Sequence, residues 1–83
     1  MTVFDDITEE CQRQYDKWGV QNHSPAVWLA ILVEEVGEVA QALLVEDKTK
    51  WREELVQVAA VVVTTIKEYD NGKTKRRETG QKT

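Results

Sequence analysis

The sequence predicts an all-α fold, a small helical-bundle subunit that is completed by association with further copies of itself. Three observations predict it. Apolar residues recur at spacings of three and four along three segments, which is the helical period. The punctuation between those segments is helical too: a glycine stop, a Ser-Pro start and a polar break at Asp47-Lys48-Thr49. Finally, a chain of 83 residues is one thin domain. It buries only about 60% of its unfolded surface, so a neighbour has to supply the missing core. Cys11 is the one cysteine and His23 the one histidine, which excludes both disulfides and a zinc cluster.

The first helix is expected from about Phe4 to Trp18. Phe4, Ile7, Cys11, Tyr15 and Trp18 form its narrow apolar stripe, and Asp5, Asp6, Glu9 and Glu10 crowd the end where the helix dipole favours negative charge. Gly19 stops it. After the polar loop Val20–His23, Ser24 reads as an N-cap with Pro25 at the first helical position. The second helix is expected from Ala26 to about Glu46. Thr49 is expected to cap a third helix, Lys50 to about Tyr69, which Asp70-Asn71-Gly72 ends. The β-branched run Val61–Ile66 could pass for a strand. It continues an uncharged stretch that begins at Leu55, however, and has no second strand to pair with. A helix that is apolar nearly all round is a buried one, and here only another subunit offers enough cover.

Residues 1–70 form the expected domain and 71–83 a basic tail that lacks the apolar residues needed to repay its ordering. The domain holds 14 acidic and 6 basic side chains, which argues against a nucleic-acid surface. An acidic body that handles an anionic substrate needs cations in between. The acidic start MTVFDDITEE does not resemble a secretory leader, and the longest uncharged runs are too short to span a membrane. A lone free cysteine fits a cytoplasmic location.

The chemistry sits on the two central helices. Glu34-Glu35-Val36-Gly37-Glu38 lies on one, and Glu53-Glu54-Leu55-Val56-Gln57 on the next. At roughly 100° per residue, each set projects from one side of its helix. Ile31 and Ala42 fall between Glu35 and Glu38 in angle, and Val61 falls close to Glu54. Carboxylates against an apolar face are costly unless a cation compensates them, and none of the three glutamates of helix two has a Lys or Arg at i+4. Oxygen-only donors suit Mg²⁺, Mn²⁺ or Ca²⁺. A di-iron carboxylate bundle would need Glu-x-x-His pairs, and neither helix contains histidine. The plainer alternative is a solvated acidic face.

These residues resemble the MazG-like nucleoside triphosphate pyrophosphohydrolases, all-α relatives of the dimeric dUTPases. The family signature, Glu-Glu-x-x-Glu on one helix and Glu-x-x-Asp on the next, reads here as Glu34-Glu35-Val36-Gly37-Glu38 and Glu54-Leu55-Val56-Gln57. Tyr15-Asp16-Lys17-Trp18-Gly19 and Trp28–Leu44 extend the likeness, which spans roughly residues 10–69. The resemblance implies Mg²⁺, with Mn²⁺ as a substitute, on Glu35, Glu38, Glu54 and Gln57. It implies Glu34 as the residue that activates water, and cleavage of a nucleoside triphosphate to monophosphate and pyrophosphate by a homodimer or homotetramer. One residue departs from the pattern: Gln57 stands where the family has Asp, and the site has one negative charge fewer. The resemblance also implies Arg13, Lys17 and Trp18 as substrate contacts, the tryptophan by stacking on a base. By the residues alone, Arg13 and Lys17 are ordinary surface charges, Trp28 is core and His23 is a loop residue without a partner. Gln21 and Asn22 carry amides suited to a base edge. Two other readings fit the sequence: a nucleotide- or metal-binding homologue without turnover, and a structural oligomerisation module.

Overall fold

Each helix begins on a side-chain cap. The computed structural model describes residues 2–72 and forms them into three helices, α1 (Val3–Trp18), α2 (Pro25–Leu44) and α3 (Lys48–Asp70). Thr2 caps α1 in a full capping box with Asp5, and Gly19 ends it at a φ of 71°, where glycine carries no Cβ penalty. Ser24 accepts from the Val27 N–H, with Pro25 at the first position of α2, as the sequence predicts. The basic tail expected at 71–83 lies, beyond Gly72, outside the described residues.

The α2–α3 connection differs from the expectation. Helix α2 stops at Leu44 rather than near Glu46, and Asp47, not Thr49, caps α3 by accepting from the Lys50 N–H. The cause is a six-residue closure in which the Glu46 N–H donates to the Leu43 carbonyl and the Asp47 N–H to the Ala42 carbonyl. This is a Schellman ending, with Glu46 at φ 56° in the position that usually falls to glycine. With the chain already reversed at Glu46, the next oxygen-bearing side chain becomes the cap.

So tight a turn makes α2 and α3 antiparallel neighbours. Helix α3 is the centre of the molecule: it packs against both α1 and α2, whose backbones do not come together among the described residues. The run Val61–Ile66 is helical throughout, so the strand alternative falls. The core is small. Among the described residues its buried apolar side chains are Trp28, Ala42, Val56, Ala60 and Val61. Helix α1 contributes differently from its apolar stripe. Phe4, Tyr15 and Trp18 are exposed, whereas Glu10 and Gln14 are buried. It is Cys11 that docks α1 on α3, its Sγ donating to the Ala60 carbonyl and accepting from Thr64 Oγ1. With only α3 to lean on, α1 cannot bury both edges of its stripe, and it turns a polar pair toward the middle of the molecule. No helix among the described residues is long and apolar enough to cross a membrane.

Candidate metal centre

The hairpin turn sets the register of the site. Residues equally far from Glu46 on the two antiparallel helices lie at the same height, at about 1.5 Å of rise per residue. Glu38 therefore stands level with Glu54, Glu35 with Gln57, and Ile31 with Val61. The side-chain geometry follows that ladder. Glu35, Glu38 and Glu54 each offer a carboxylate oxygen within 4.8 Å of the others. Glu34 is not one of the three but lines the adjoining cleft with Glu35 and Glu38.

The electrostatics of this group are those of anions held together without enough positive charge. Desolvation raises the Glu35 carboxyl above its ordinary value, and the charges of Glu38, Glu54, Glu34 and Glu10 raise it further. Glu38 is raised as well, first by desolvation and then by a hydrogen bond with Glu54 and by that neighbour's charge; Lys50 acts in the opposite sense. Glu54 is 3% exposed and meets Lys50 Nζ at 3.2 Å through Oε2. This pair stands at i and i+4 on α3, the spacing at which the glutamates of α2 have no Lys or Arg. The Gln57 amide faces two carboxylates, which only accept when ionised. Amide oxygen and nitrogen are assigned from their partners, and only the nitrogen suits two carboxylates; so assigned, it donates to Glu35 Oε1 at 3.1 Å and to Glu54 Oε1 at 3.0 Å.

Beside the carboxylates runs a cleft of about 630 Å³, within the range of small-molecule sites. Lys17 and Trp18 line it, with Lys17 Nζ 4.7 Å from the indole centroid. Gln21, Asn22 and His23 line it as well. His23 has partners that the sequence does not reveal. Its Nε2 lies 3.0 Å from Gln21 Oε1, and its ring meets Trp28 edge-on at 4.9 Å. Trp28 is core, as expected, at 3% exposure, yet it also belongs to the cleft wall and its indole N–H has no partner. Arg13 lies elsewhere. It pairs with Glu10 at 2.7 Å in a second groove that also holds Arg52 and Asp6, themselves paired at 2.7 Å. Glu53 turns to that groove too, away from Glu54, while Gln57 borders both.

The donor set fits a hard divalent cation: three carboxylates from two helices, oxygen donors only, with too little positive charge around them. No family model, no curated protein and no solved structure matches this chain.

Proposed function

We propose that this chain is a MazG-like, magnesium-dependent nucleoside triphosphate pyrophosphohydrolase that works as a homo-oligomer. The observation that carries the proposal is the convergence of Glu35, Glu38 and Glu54 at the edge of a cleft that Lys17, Trp18, Gln21 and Asn22 also line. Mg²⁺ on these carboxylates supplies charge neutralisation for a triphosphate and lowers the pKa of a bound water. The chain's own residues do the rest. Glu34, in the cleft wall beside them, takes the proton from the attacking water. The Lys17 ammonium meets the phosphate chain. Trp18, half exposed, offers a face on which a base stacks, and the amides of Gln21 and Asn22 meet its edge. Attack of that water at phosphorus breaks the bond to the oxygen that bridges the α- and β-phosphates and releases monophosphate and pyrophosphate. Arg13, tied to Glu10 in the other groove, has no part in this reading.

The test is a panel of ribo- and deoxyribonucleoside triphosphates incubated with Mg²⁺, followed by product analysis. We expect pyrophosphate with at least one substrate, and near-complete loss in Glu38→Gln. A Glu38→Gln protein that hydrolyses as fast as the wild type would refute the metal role. A second reading, a homologue that binds without turnover, draws on the donating orientation of Gln57, which leaves three carboxylate ligands. Nucleotide binding without pyrophosphate release from any member of the panel would select it.

A further inference from the structure

Gln57 occupies the one position at which this chain departs from the pattern it resembles, and its surroundings define what it does there. An amide nitrogen has two N–H donors, and its carbonyl oxygen has none. With its oxygen on that side, the amide sets an acceptor 3.1 Å from Glu35 Oε1 and 3.0 Å from Glu54 Oε1, and exchanging oxygen and nitrogen relieves both contacts. With the nitrogen there, the same distances are good N–H···O hydrogen bonds to ionised acceptors, roughly twice as strong as neutral ones.

The two carboxylates need this partner. Glu54 is buried, Lys50 engages its Oε2, and Gln57 offers a donor to its Oε1. Among the described residues Glu35 has no ion pair. Gln57 thus ties a carboxylate of α2 to one of α3 across the helix seam, at the level where the hairpin register puts them side by side. Glu35 keeps its second oxygen for a ligand, and Glu54, held by Lys50 on Oε2 and by Gln57 on Oε1, keeps a further lone pair on each oxygen.

We infer that Gln57 is a positioning residue, an amide clamp that spans Glu35 and Glu54 and orients both for the cation without itself coordinating it. The inference rests on the metal reading given above, and it replaces a fourth ligand with a support for the other three. Outer-shell hydrogen bonds of this kind fix the orientation of ligands, and their loss typically lowers metal affinity by about 10–100-fold.

The experiment uses the full chain, ¹⁵N-labelled, with MgCl₂ as the probe. The side-chain NH₂ signals of Gln57 are assigned by their absence in Gln57→Met, a substitution of similar length that has neither the donors nor the carbonyl. Their exchange with solvent is compared with that of the exposed Gln41. In the metal-free protein the Gln57 NH₂ is expected to exchange more slowly than that of Gln41, and to remain slow at saturating Mg²⁺. Calorimetry should find Mg²⁺ bound about 10–100-fold more weakly by Gln57→Met than by the wild type. Exchange as fast as at Gln41 would overturn the clamp. Protection lost as Mg²⁺ binds would overturn it too, since the oxygen would then be the ligand. Equal affinity in Gln57→Met would do the same. If that variant fails to fold, the Gln57 NH₂ is assigned through its own side-chain carbons in ¹³C,¹⁵N-labelled wild type, and the exchange measurement there still decides. Should the wild type bind no Mg²⁺ at millimolar concentration, the metal reading falls and takes the clamp's purpose with it, even with a protected amide. Mg²⁺ binding beside a freely exchanging amide removes the clamp alone.

Discussion

Glu38 sits between two obligations that differ by a proton. Toward Glu54 it is best protonated, and toward a cation it is best ionised. Desolvation and the neighbouring carboxylates raise the Glu38 and Glu35 carboxyls, so each binds its proton more tightly in the folded chain than in the unfolded one. The sign follows from linkage. The stability that such a group contributes is complete below its unfolded pKa and is lost as pH rises through the higher folded value. Glu38→Gln imitates the protonated form and loses nothing in that window. The metal-free variant is therefore expected to melt above the metal-free wild type at neutral pH, and the gap should close on acidification. Mg²⁺ should invert the order, raising the wild-type melting temperature by mass action and leaving the variant nearly unmoved. Thermal melts of both proteins across pH, with and without Mg²⁺, check this. A variant that melts below the metal-free wild type at neutral pH would contradict it.

At the scale of elements, the α2–α3 hairpin is what aligns the carboxylates, and its turn carries avoidable strain. Glu46 adopts a left-handed conformation, where a Cβ crowds the following carbonyl. Its side chain is exposed and makes no hydrogen bond or ion pair among the described residues. Glu46→Gly is therefore expected to stabilise the fold by about 1 kcal/mol, a rise of roughly 4–8 °C in Tm for a domain of this size. The register stays intact, so Mg²⁺ affinity should not change. Differential scanning calorimetry reads the first effect and titration calorimetry the second. A lower Tm would mean that Glu46 has an attractive role that outweighs its strain.

For the whole molecule, the question is what covers the remaining apolar surface. Leu29, Val33, Val36 and Leu43 fall on one side of α2, opposite the glutamates, and all are at least half exposed. On α3, Leu55, Val62, Ile66 and Tyr69 form a second exposed stripe. Set against a buried core in which two of the five apolar side chains are alanines, these faces support our proposal that further copies complete the bundle. Light scattering at micromolar concentration is expected to give a dimer or tetramer. The double substitution Leu29→Glu, Val33→Glu should dissociate it and lower its stability. A folded, stable monomer from the wild type would defeat the proposal.

Period, caps and residue chemistry determined much of this protein from the sequence alone. The three helices, the Ser24-Pro25 start, the Gly19 stop and the buried Trp28 follow from local rules, because each depends on residues within a turn or two. The resemblance implied that Glu35, Glu38 and Glu54 belong together; the helical period by itself gave only two acidic faces, and the hairpin brings these three carboxylates within reach of one another. Local rules failed where a decision was shared. The end of α2 depended on whether Glu46 would accept a positive φ, and that choice moved the cap from Thr49 to Asp47. Only the tertiary structure decided which neighbours each polar side chain finds. It placed Glu10 and Gln14 inside, separated Arg13 from Lys17, gave His23 the edge of Trp28 and turned the Gln57 nitrogen toward two carboxylates. An amide carries donors and an acceptor on one planar group, so its sequence position leaves its role open. The role we infer for it follows from the two carboxylates that the packing of α2 on α3 brought within 3.1 Å of it.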